Sequence, residues 1–397
     1  MHYAAVTTRL AGTGSDKWAL SAAAKARIAA GQQVINLTIG EPDVPTPDAL
    51  IQGAIRAMQA GRTGYSNGRG EPVLLDALAT RYSTMTGRDI GTDRFLCLPG
   101  TQTSLFLVLM AICDPGAEVI IGDPMYATYE GLIRAAGAVP VPVTLDPSHD
   151  FRLQAGDVAQ KITTMTRAIM INTPHNPTGA ILRPADLDAI SALAKQHDLW
   201  VVSDEVYGDL THGDAVFTSA LANPMFQDRV IVTASISKSH AAPGFRSGWV
   251  CAPAAFCARA LPLSETMLFG SQPFIADMTA QALTGPPVLA RDMAARMAHR
   301  AQIVHACLDG VAGLRVHLPE AGMFALIDIR ALGQPSQAFA FALLDATQVA
   351  VMPGASFGGS FDGWLRLALN ATDDDTRIAC NRIAGFSQAL QVTHAAQ

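Results

Sequence analysis

Residues 168–203 read AIMINTPHNPTGAILRPADLDAISALAKQHDLWVVS. The stretch begins and ends with short, nearly continuous apolar runs, at 168–172 and 200–203. Between them, residues 184–197 carry apolar side chains at helical spacing, and Pro184 suits the first turn of a helix. Continuous apolar runs are typical of strands that crossover helices cover on both faces. The stretch therefore predicts two parallel strands joined by a helix.

The same alternation continues on both sides of this stretch, from residue 49 to about residue 285. Short apolar runs alternate with longer amphipathic segments. This alternation predicts an α/β fold with a mostly parallel, doubly wound sheet. The candidate strands lie at residues 95–98, 118–121, 139–143, 168–172, 200–203, 230–235 and 249–252, with helical patterns at 103–113, 126–136 and 184–197.

The pattern changes after residue 286, where a long helical segment at 287–308 is followed by short strands and helices. These segments predict a small α+β domain. We expect the N-terminal helix at 19–30 and the VINLTI run at 34–39 to join it. The predicted division is then a large domain of residues 46–285 and a small domain of residues 1–45 and 286–397.

Composition limits the classes of protein that this chain can belong to. The 397 residues suffice for two domains, and a net charge of −6 without a basic cluster argues against a nucleic-acid partner. Charges interrupt the apolar stretches of the first 27 residues, and the longest apolar run, 105–113, is too short for a bilayer. Six cysteines without a CxxC pair predict reduced thiols and no metal site. We expect a cytoplasmic protein without a membrane partner.

One lysine of the five in the chain differs from the others in its position. Lys238 comes just after a predicted core strand, next to Ser235 and Ser237, whereas the other four lie in polar or amphipathic helical surroundings. Partial burial lowers the pKa of a lysine and makes its amine a nucleophile for carbonyl groups. From this segment alone, a purely structural lysine is equally compatible.

An anion site is predicted beside this lysine. Arg246 follows eight residues later and could bind a phosphate together with the two serine hydroxyls. Gly100, Thr101 and Gln102 end another strand and open an apolar helix, so their free N–H groups could bind the same anion. The alternative is an ordinary strand-to-helix turn with a capping threonine.

Polar residues also follow three other predicted strands, at the edge where open α/β sheets bind ligands. Asn176 lies in an irregular loop with two prolines, and Asp204 and Tyr207 follow the apolar run at 200–203. A buried aspartate needs a cation or a donor, such as a protonated ring nitrogen. Tyr126 could stack on a flat cofactor. The alternatives are a turn asparagine, a capping aspartate with a surface tyrosine, and a core tyrosine.

Together, these motifs resemble those of class I/II aminotransferases, the pyridoxal-phosphate enzymes of fold type I. The matching motifs are SISK with PGFR around Lys238, HNPTG around Asn176, Asp204 with Tyr207, INLTIGEPD around Gly40, GYSNGRGEP around Tyr65, and PGASFG followed by Arg366. The agreement extends over nearly the whole chain. Within the family, the chain is similar to the branch of aspartate aminotransferases and arginine–pyruvate transaminases.

The resemblance implies roles for the residues around the cofactor ring. Lys238 would form a Schiff base with pyridoxal 5'-phosphate and then move the substrate proton as general base and acid. Asp204 would keep the ring nitrogen protonated. Asn176 and Tyr207 would hydrogen-bond the phenolic oxygen, and Tyr126 would stack on the ring.

It also implies a phosphate cup of Ser235, Ser237, Arg246 and the backbone of Gly100, Thr101 and Gln102. In this family the residue at Tyr65 reaches the phosphate of the neighbouring subunit, which implies a homodimer with shared active sites.

The substrates implied are an L-amino acid and a 2-oxo acid such as pyruvate, oxaloacetate or 2-oxoglutarate. Arg366 would bind the substrate carboxylate through both prongs of its guanidinium, with Gly40 and Asn176 close by. Lys17, in a segment that covers the site in relatives, could approach the substrate and favour an acidic side chain over arginine. Its alternative is a surface lysine.

Three other functions fit parts of the sequence. The GASFG motif at 354–358 has the GxSxG pattern of serine hydrolases, with Ser356 as nucleophile and His394 as the only later histidine. A cofactor-binding regulator would need a DNA-binding module, for which the N-terminus is too short. Another pyridoxal-phosphate reaction, such as a β-lyase or an amine oxidation, would use the same motifs.

Overall fold

Two sheets organise the computed structural model, which describes residues 1–395 apart from the side chains of residue 15 and residues 393–395. The strands are β1 (Ile35–Leu37), β2 (Phe95–Leu98), β3 (Glu118–Asp123), β4 (Val139–Thr144), β5 (Thr166–Asn172), β6 (Trp200–Asp204), β7 (Val230–Ser235), β8 (Gly248–Cys251), β9 (Arg315–His317), β10 (Phe324–Asp328), β11 (Val349–Pro353) and β12 (Trp364–Ala368). The α-helices are α1 (Ala5–Arg9), α2 (Ala19–Ala29), α3 (Asp48–Gln59), α4 (Pro72–Thr86), α5 (Thr101–Ile112), α6 (Tyr129–Ala135), α7 (Ala155–Ala159), α8 (Pro184–Gln196), α9 (Ala254–Leu268), α10 (Pro273–Thr284), α11 (Val288–Leu308), α12 (Ser336–Thr347) and α13 (Asp373–Ala395).

The larger sheet has seven strands in the order β2-β8-β7-β6-β5-β3-β4. All pairings are parallel except those of β8, which runs antiparallel to both β2 and β7. The prediction of a mostly parallel sheet is confirmed, and each of the seven candidate strands is present.

Helices cover both faces of this sheet, as the continuous apolar runs predict. In β5, Ile169 and Ile171 enter one core, whereas Ala168 and Met170 enter a second core on the opposite face. Successive side chains of a strand point to opposite faces, so a strand with a core on each side must be apolar throughout.

The smaller sheet has five strands in the order β1-β11-β12-β10-β9 and has a third core. β1 pairs in parallel with β11, with Ile35 opposite Val349, so this N-terminal strand belongs to the same sheet as four C-terminal strands. The long helices α11 and α13 pack on each other in the same core, which includes Met297 and Ile383.

One helix, α6, begins later than predicted, which changes the position of Tyr126. The pattern predicts a helix from residue 126, but α6 begins at Tyr129. Tyr126 instead lies in the preceding loop, where its carbonyl accepts a hydrogen bond from the Tyr129 N–H at 3.0 Å. This position leaves the Tyr126 ring free to face the pocket.

Tight packing fixes the approach of β8 to the start of α5. A Cβ on Gly248 would lie 2.7 Å from the carbonyl carbon of Gly100, so only glycine fits there. None of the helices within residues 1–395 has the length and apolar character needed to cross a membrane.

Candidate active site

A cavity of about 280 Å³ lies between the two sheets, at the carboxyl ends of β5, β6 and β7. Open α/β sheets bind ligands at this edge. Twelve of the residues singled out from the sequence line the cavity: Gly40, Thr101, Gln102, Tyr126, Asn176, Asp204, Tyr207, Ser235, Ser237, Lys238, Arg246 and Arg366.

Lys238 lies three residues beyond the end of β7, and its ammonium Nζ donates a hydrogen bond to the Gly40 carbonyl at 2.7 Å. The pKa of Lys238 is lowered to about 8, mainly by burial; Glu41 opposes the shift, and the positive charges of Arg366 and Arg246 add to it. The uncharged fraction of the amine near neutral pH is therefore much larger than in an exposed lysine, which favours its action as a nucleophile for a carbonyl group.

An anion site lies next to this lysine. The guanidinium of Arg246 packs against Gly100, where a Cβ would lie 2.3 Å from Nη2. Thr101 begins α5, and its buried Oγ1 has no hydrogen-bond partner within residues 1–395. With Ser235 and Ser237, these groups form a cup of donors at a helix N-terminus, which suits a phosphate.

A buried carboxylate lies at the end of β6. Burial raises the pKa of Asp204 to about 6, while hydrogen bonds from the Tyr129 hydroxyl (2.7 Å) and the Val206 N–H (3.1 Å) oppose the shift. Such a group is suited to pair with a protonated ring nitrogen.

Tyr129 is a functional candidate that the sequence analysis did not assign. The signal was present in the spacing of Tyr126 and Tyr129, three residues apart after a strand, but the sequence does not show which of the two rings meets the carboxylate. In the structure the two rings meet edge to face, with centroids 5.4 Å apart.

Asn176 and Tyr207 lie together beside the carboxylate. The Asn176 amide Nδ2 donates to the Tyr207 hydroxyl at 3.3 Å, and its Oδ1 accepts from Arg366 at 3.0 Å. The Asn176 backbone N–H donates to the side chain of Asn172 at 2.8 Å, which fixes the loop.

Arg366 is a buried cation, 1 % exposed, that no acidic side chain within residues 1–395 neutralises. Its Nη2 donates to the Thr38 carbonyl at 2.6 Å, and its Nε is buried without a partner in this part of the chain. Burial lowers the pKa of Arg366 to about 10, so it stays charged at neutral pH. The arrangement favours an anionic ligand such as a carboxylate.

The rings of Phe324 and Phe357 lie under and beside this guanidinium, with centroids 3.9 Å and 4.3 Å from its central carbon. Sequence reasoning missed both rings, since nothing in their local motifs indicates a cation. They help to hold the charge in an otherwise apolar environment.

Other sequence candidates lie outside the cavity lining. Tyr65 is 91 % exposed, and its ring packs edge to face on Phe269 at 4.9 Å. Lys17 donates to Glu130 at 2.8 Å, and only its neighbour Trp18 reaches the cavity.

The serine-hydrolase alternative is not supported by the surroundings of its nucleophile. Ser356 lies in a single 3₁₀ turn, Gly354–Phe357, rather than at a strand-to-helix elbow, and its hydroxyl donates to the Lys17 carbonyl at 2.9 Å. The side chain of His394, the other residue of that hypothesis, lies outside the described part of the chain.

The residues present fit pyridoxal 5'-phosphate. The partly deprotonated amine suits its aldehyde, the donor cup with the unpartnered Thr101 hydroxyl suits its phosphate, and the Asp204 carboxyl suits its ring nitrogen. The unpartnered Nε of Arg366 lies in the same cavity and leaves a place for a substrate carboxylate.

The chain belongs to the family of class I and II aminotransferases, whose family model matches residues 32–383. It is therefore a pyridoxal-phosphate-dependent transaminase of fold type I, which transfers an amino group to a 2-oxo acid. It is 41 % identical to the arginine–pyruvate transaminase of Pseudomonas aeruginosa, over 97 % of this chain and 98 % of that protein. It is 31 % identical to an aspartate aminotransferase of Musicola paradisiaca, over 93 % of each chain.

Solved structures agree with the sequence relatives. The aspartate aminotransferase of Thermus thermophilus with maleate superposes with a TM-score of 0.90 at 28 % identity, over 97 % of this chain and 99 % of that one. The aspartate aminotransferase of Rhizobium meliloti superposes with a TM-score of 0.92 at 26 % identity, over 98 % and 99 %.

Removing the hydroxyl that holds Asp204 should weaken cofactor binding. In Tyr129→Phe the pKa of Asp204 rises, so the carboxylate protonates at a higher pH. We expect the cofactor dissociation constant near pH 7 to rise about tenfold. Affinity depends on the charged carboxylate, so its decline with falling pH should begin at a higher pH than in the wild type. Equilibrium titration of the cofactor over a pH series measures both effects.

Tyr82→Phe is the matched control, because Tyr82 is a buried tyrosine whose hydroxyl accepts from Trp249 at 2.9 Å and does not line the cavity. It should leave the cofactor affinity unchanged. Equal pH profiles for Tyr129→Phe and the wild type would contradict a supporting role for the Tyr129 hydroxyl.

Proposed function

We propose that this transaminase takes a long cationic amino donor such as L-arginine and uses pyruvate as acceptor. The observation that carries the proposal is the state of Lys17, whose ammonium donates to Glu130 and is thereby neutralised. The three cations that line the cavity, Lys238, Arg246 and Arg366, have other proposed roles. In this chain, no cation of the described cavity lining is left to bind an acidic side chain.

Three further features support a cationic donor. Glu41 lines the cavity and forms no salt bridge within residues 1–395, although its charge acts on Lys238. The arginine–pyruvate transaminase of Pseudomonas aeruginosa is 41 % identical to this chain. Trp18 and Leu132 provide an apolar wall that suits the methylene groups of such a substrate.

In the proposed mechanism, residues of this chain orient the donor before any bond changes. Arg366 binds the donor carboxylate with its fork, and Asn176, hydrogen-bonded to Arg366, holds the fork in its orientation. Trp18 and Tyr126, whose rings meet edge to face at 6.4 Å, exclude water from the part of the cavity that they line.

Bound pyridoxal 5'-phosphate supplies an aldehyde for Schiff-base formation and an electron sink for the pair left at the substrate Cα. Lys238 Nζ would act as the general base that takes the Cα proton and as the general acid that returns it. Asp204, held by Tyr129, would keep the ring nitrogen protonated. Tyr207 and Asn176 would donate to the phenolic oxygen, and the cup around Arg246 would hold the phosphate.

We further propose that the enzyme is a homodimer in which Tyr65 binds the phosphate of the partner's site. The exposed Tyr65–Phe269 pair supports this arrangement, because two adjacent aromatic rings at a surface suit a protein contact. We also propose domain boundaries at 45/46 and 285/286, with the cavity between the domains. The six cysteines, all free thiols, support a cytoplasmic location.

A panel of amino donors against three 2-oxo acids tests the substrate proposal. We expect L-arginine with pyruvate to give a kcat/KM at least about tenfold higher than L-aspartate with 2-oxoglutarate or oxaloacetate. Conversion of the bound cofactor to its amine form reports the donor half-reaction, and chromatography of products identifies the acceptor.

Glu41→Gln tests side-chain recognition in the same assay. The variant should raise the KM of L-arginine about tenfold relative to that of L-alanine, since only arginine has a cationic side chain. The effect of Glu41 on the pKa of Lys238 is common to both donors and cancels in this comparison. A preference for L-aspartate would overturn the donor proposal. Release of ammonia without amino transfer would contradict transamination itself.

Lys238→Ala tests the covalent attachment of the cofactor. Treatment of the wild type with borohydride should fix the cofactor to the peptide that contains Lys238, as read by mass spectrometry. In the variant no trapped adduct should form, because the other four lysines lie outside the cavity lining. Lys17→Ala is the control and should trap normally; an adduct on another lysine in Lys238→Ala would disprove the assignment.

Hybrid dimers test the shared site. Combining a Lys238→Ala subunit with a Tyr65→Ala subunit gives one site with both substitutions and one site with neither, if Tyr65 serves its partner. The hybrid should then recover about half of the wild-type activity, although each parent is weak. Activity no higher than that of the parents would mean that Tyr65 serves its own subunit.

A further inference from the structure

The segment 38–43 runs along the cavity between β1 and α3, and its backbone carbonyls face the active-site cations. The Thr38 carbonyl accepts from Arg366 at 2.6 Å, and the Gly40 carbonyl accepts from Lys238 at 2.7 Å. The segment therefore determines the directions in which the other N–H groups of Arg366 and Lys238 point.

These two contacts cannot by themselves hold the segment during the reaction. In the proposed mechanism, Lys238 bonds to the cofactor and Arg366 turns its fork to a carboxylate, so each gives up part of its contact. Outside the proposed machinery, the Ile39 carbonyl accepts from the Asn370 amide at 3.1 Å, and the Thr38 hydroxyl donates to Ser21 at 3.0 Å. Both contacts lie at the start of the segment, so the position of the Gly40 carbonyl also depends on what holds the far end.

Asp43 anchors this far end of the segment. Its side chain is 4 % exposed and accepts from Arg296 Nε at 2.7 Å, Arg296 Nη2 at 2.9 Å and Arg300 Nη1 at 2.8 Å. Burial alone would raise the pKa of Asp43, but the hydrogen bonds and charges of the two arginines outweigh it and lower the pKa. The carboxylate is thus charged over the working pH range.

Arg300 links this anchor to the strand that carries Arg366. Its Nη1 donates both to Asp43 and to the carbonyl of Leu369, the residue directly after β12, at 3.0 Å. One guanidinium on α11 therefore fixes two chain segments, one ending at Asp43 and one beginning at Arg366. The distance between the Thr38 carbonyl and the Arg366 fork depends on both.

Space around the segment limits the ways in which it can adjust. A Cβ on Gly40 would lie 2.3 Å from the Phe324 ring, so the backbone already touches the ring that supports Arg366. A shift of the segment would therefore move either the Gly40 carbonyl away from Lys238 or the Phe324 ring under Arg366.

We propose that Asp43 is a positioning residue, which acts through Arg296 and Arg300 to keep the segment 38–43 in register with Arg366 and Lys238. Asp43 touches neither substrate nor cofactor. Its effect is to keep the site that binds the substrate carboxylate in place before the substrate arrives. The inference rests on the roles proposed above for Arg366 and Lys238.

Asp43→Asn in the holoenzyme tests this role, because the amide keeps the shape of the side chain and removes its charge. The probe is 2-aminoisobutyrate, an amino acid without a Cα proton, whose binding changes the absorbance of the cofactor. We expect its dissociation constant to rise about tenfold, the KM of the donor to rise by a similar factor, and kcat to fall less than about threefold.

Asp373→Asn is the matched control. Asp373 accepts from the same Arg300, at 3.0 Å, but lies on α13, half-exposed and without contact to the segment. It should leave the dissociation constant of the probe unchanged, while thermal unfolding measures any loss of stability in both variants. Arg296 is half-exposed and donates two of the three hydrogen bonds to Asp43. Arg296→Gln should therefore raise the dissociation constant of the probe about threefold. It replaces Asp43→Asn as the test if that variant does not fold.

Equal probe affinity in Asp43→Asn and Asp373→Asn would overturn the positioning role, and so would a lower melting temperature with unchanged probe affinity. Arg366→Lys separates this from the proposed function. If Arg366→Lys weakens the probe and Asp43→Asn does not, only the positioning role is wrong. If neither substitution weakens it, the carboxylate role of Arg366 is wrong and the inference falls with it.

Discussion

The active site depends on one constraint, the desolvation of three ionisable side chains. They are Lys238, Asp204 and Arg366, and they meet at the carboxyl ends of strands of the larger sheet. Burial moves Lys238 toward the neutral amine, raises the pKa of Asp204 and leaves the Arg366 cation without an acidic partner among the described residues. Each group has lost the hydration that would stabilise its charged form. A ligand with an aldehyde, a ring nitrogen and a carboxylate-bearing partner would relieve all three, which is the chemistry of this family.

The two sheets share the task of maintaining that constraint. β6 and β7 lead into Asp204 and Lys238, whereas β12 carries Arg366 and β1 leads into the segment that contacts both cations. Segments near both ends of the chain therefore contribute to the site, although most of its cofactor residues come from the middle of the chain. The parallel pairing of β1 with β11 brings the N-terminal segment to the cavity, and the Asp43–Arg300 contact holds it there.

Much of the site was predictable because its residues follow strands whose carboxyl ends converge in any parallel sheet. Lys238, Asp204 and Asn176 all belong to this group. The start of α6 was not predictable, since the apolar pattern continues through Tyr126 and does not show that the loop includes it. Tyr129 was missed because the sequence does not show which of the two tyrosines meets the Asp204 carboxylate. Phe324 and Phe357 were missed because nothing in their own segments indicates a contact with the distant Arg366.

The sequence by itself determined the order of strands and helices along the chain and the covering of both faces of the larger sheet by helices. It also determined the set of chemical groups available at the site. Local spacing encodes these features, since they depend on neighbours within a few residues. Only the tertiary structure decided which donor meets which acceptor. Lys17 meets Glu130, Asp43 meets Arg296 and Arg300, and Tyr129 meets Asp204, across separations of 75 to 257 residues. Such contacts follow from the packing of whole elements against one another, which no local pattern records.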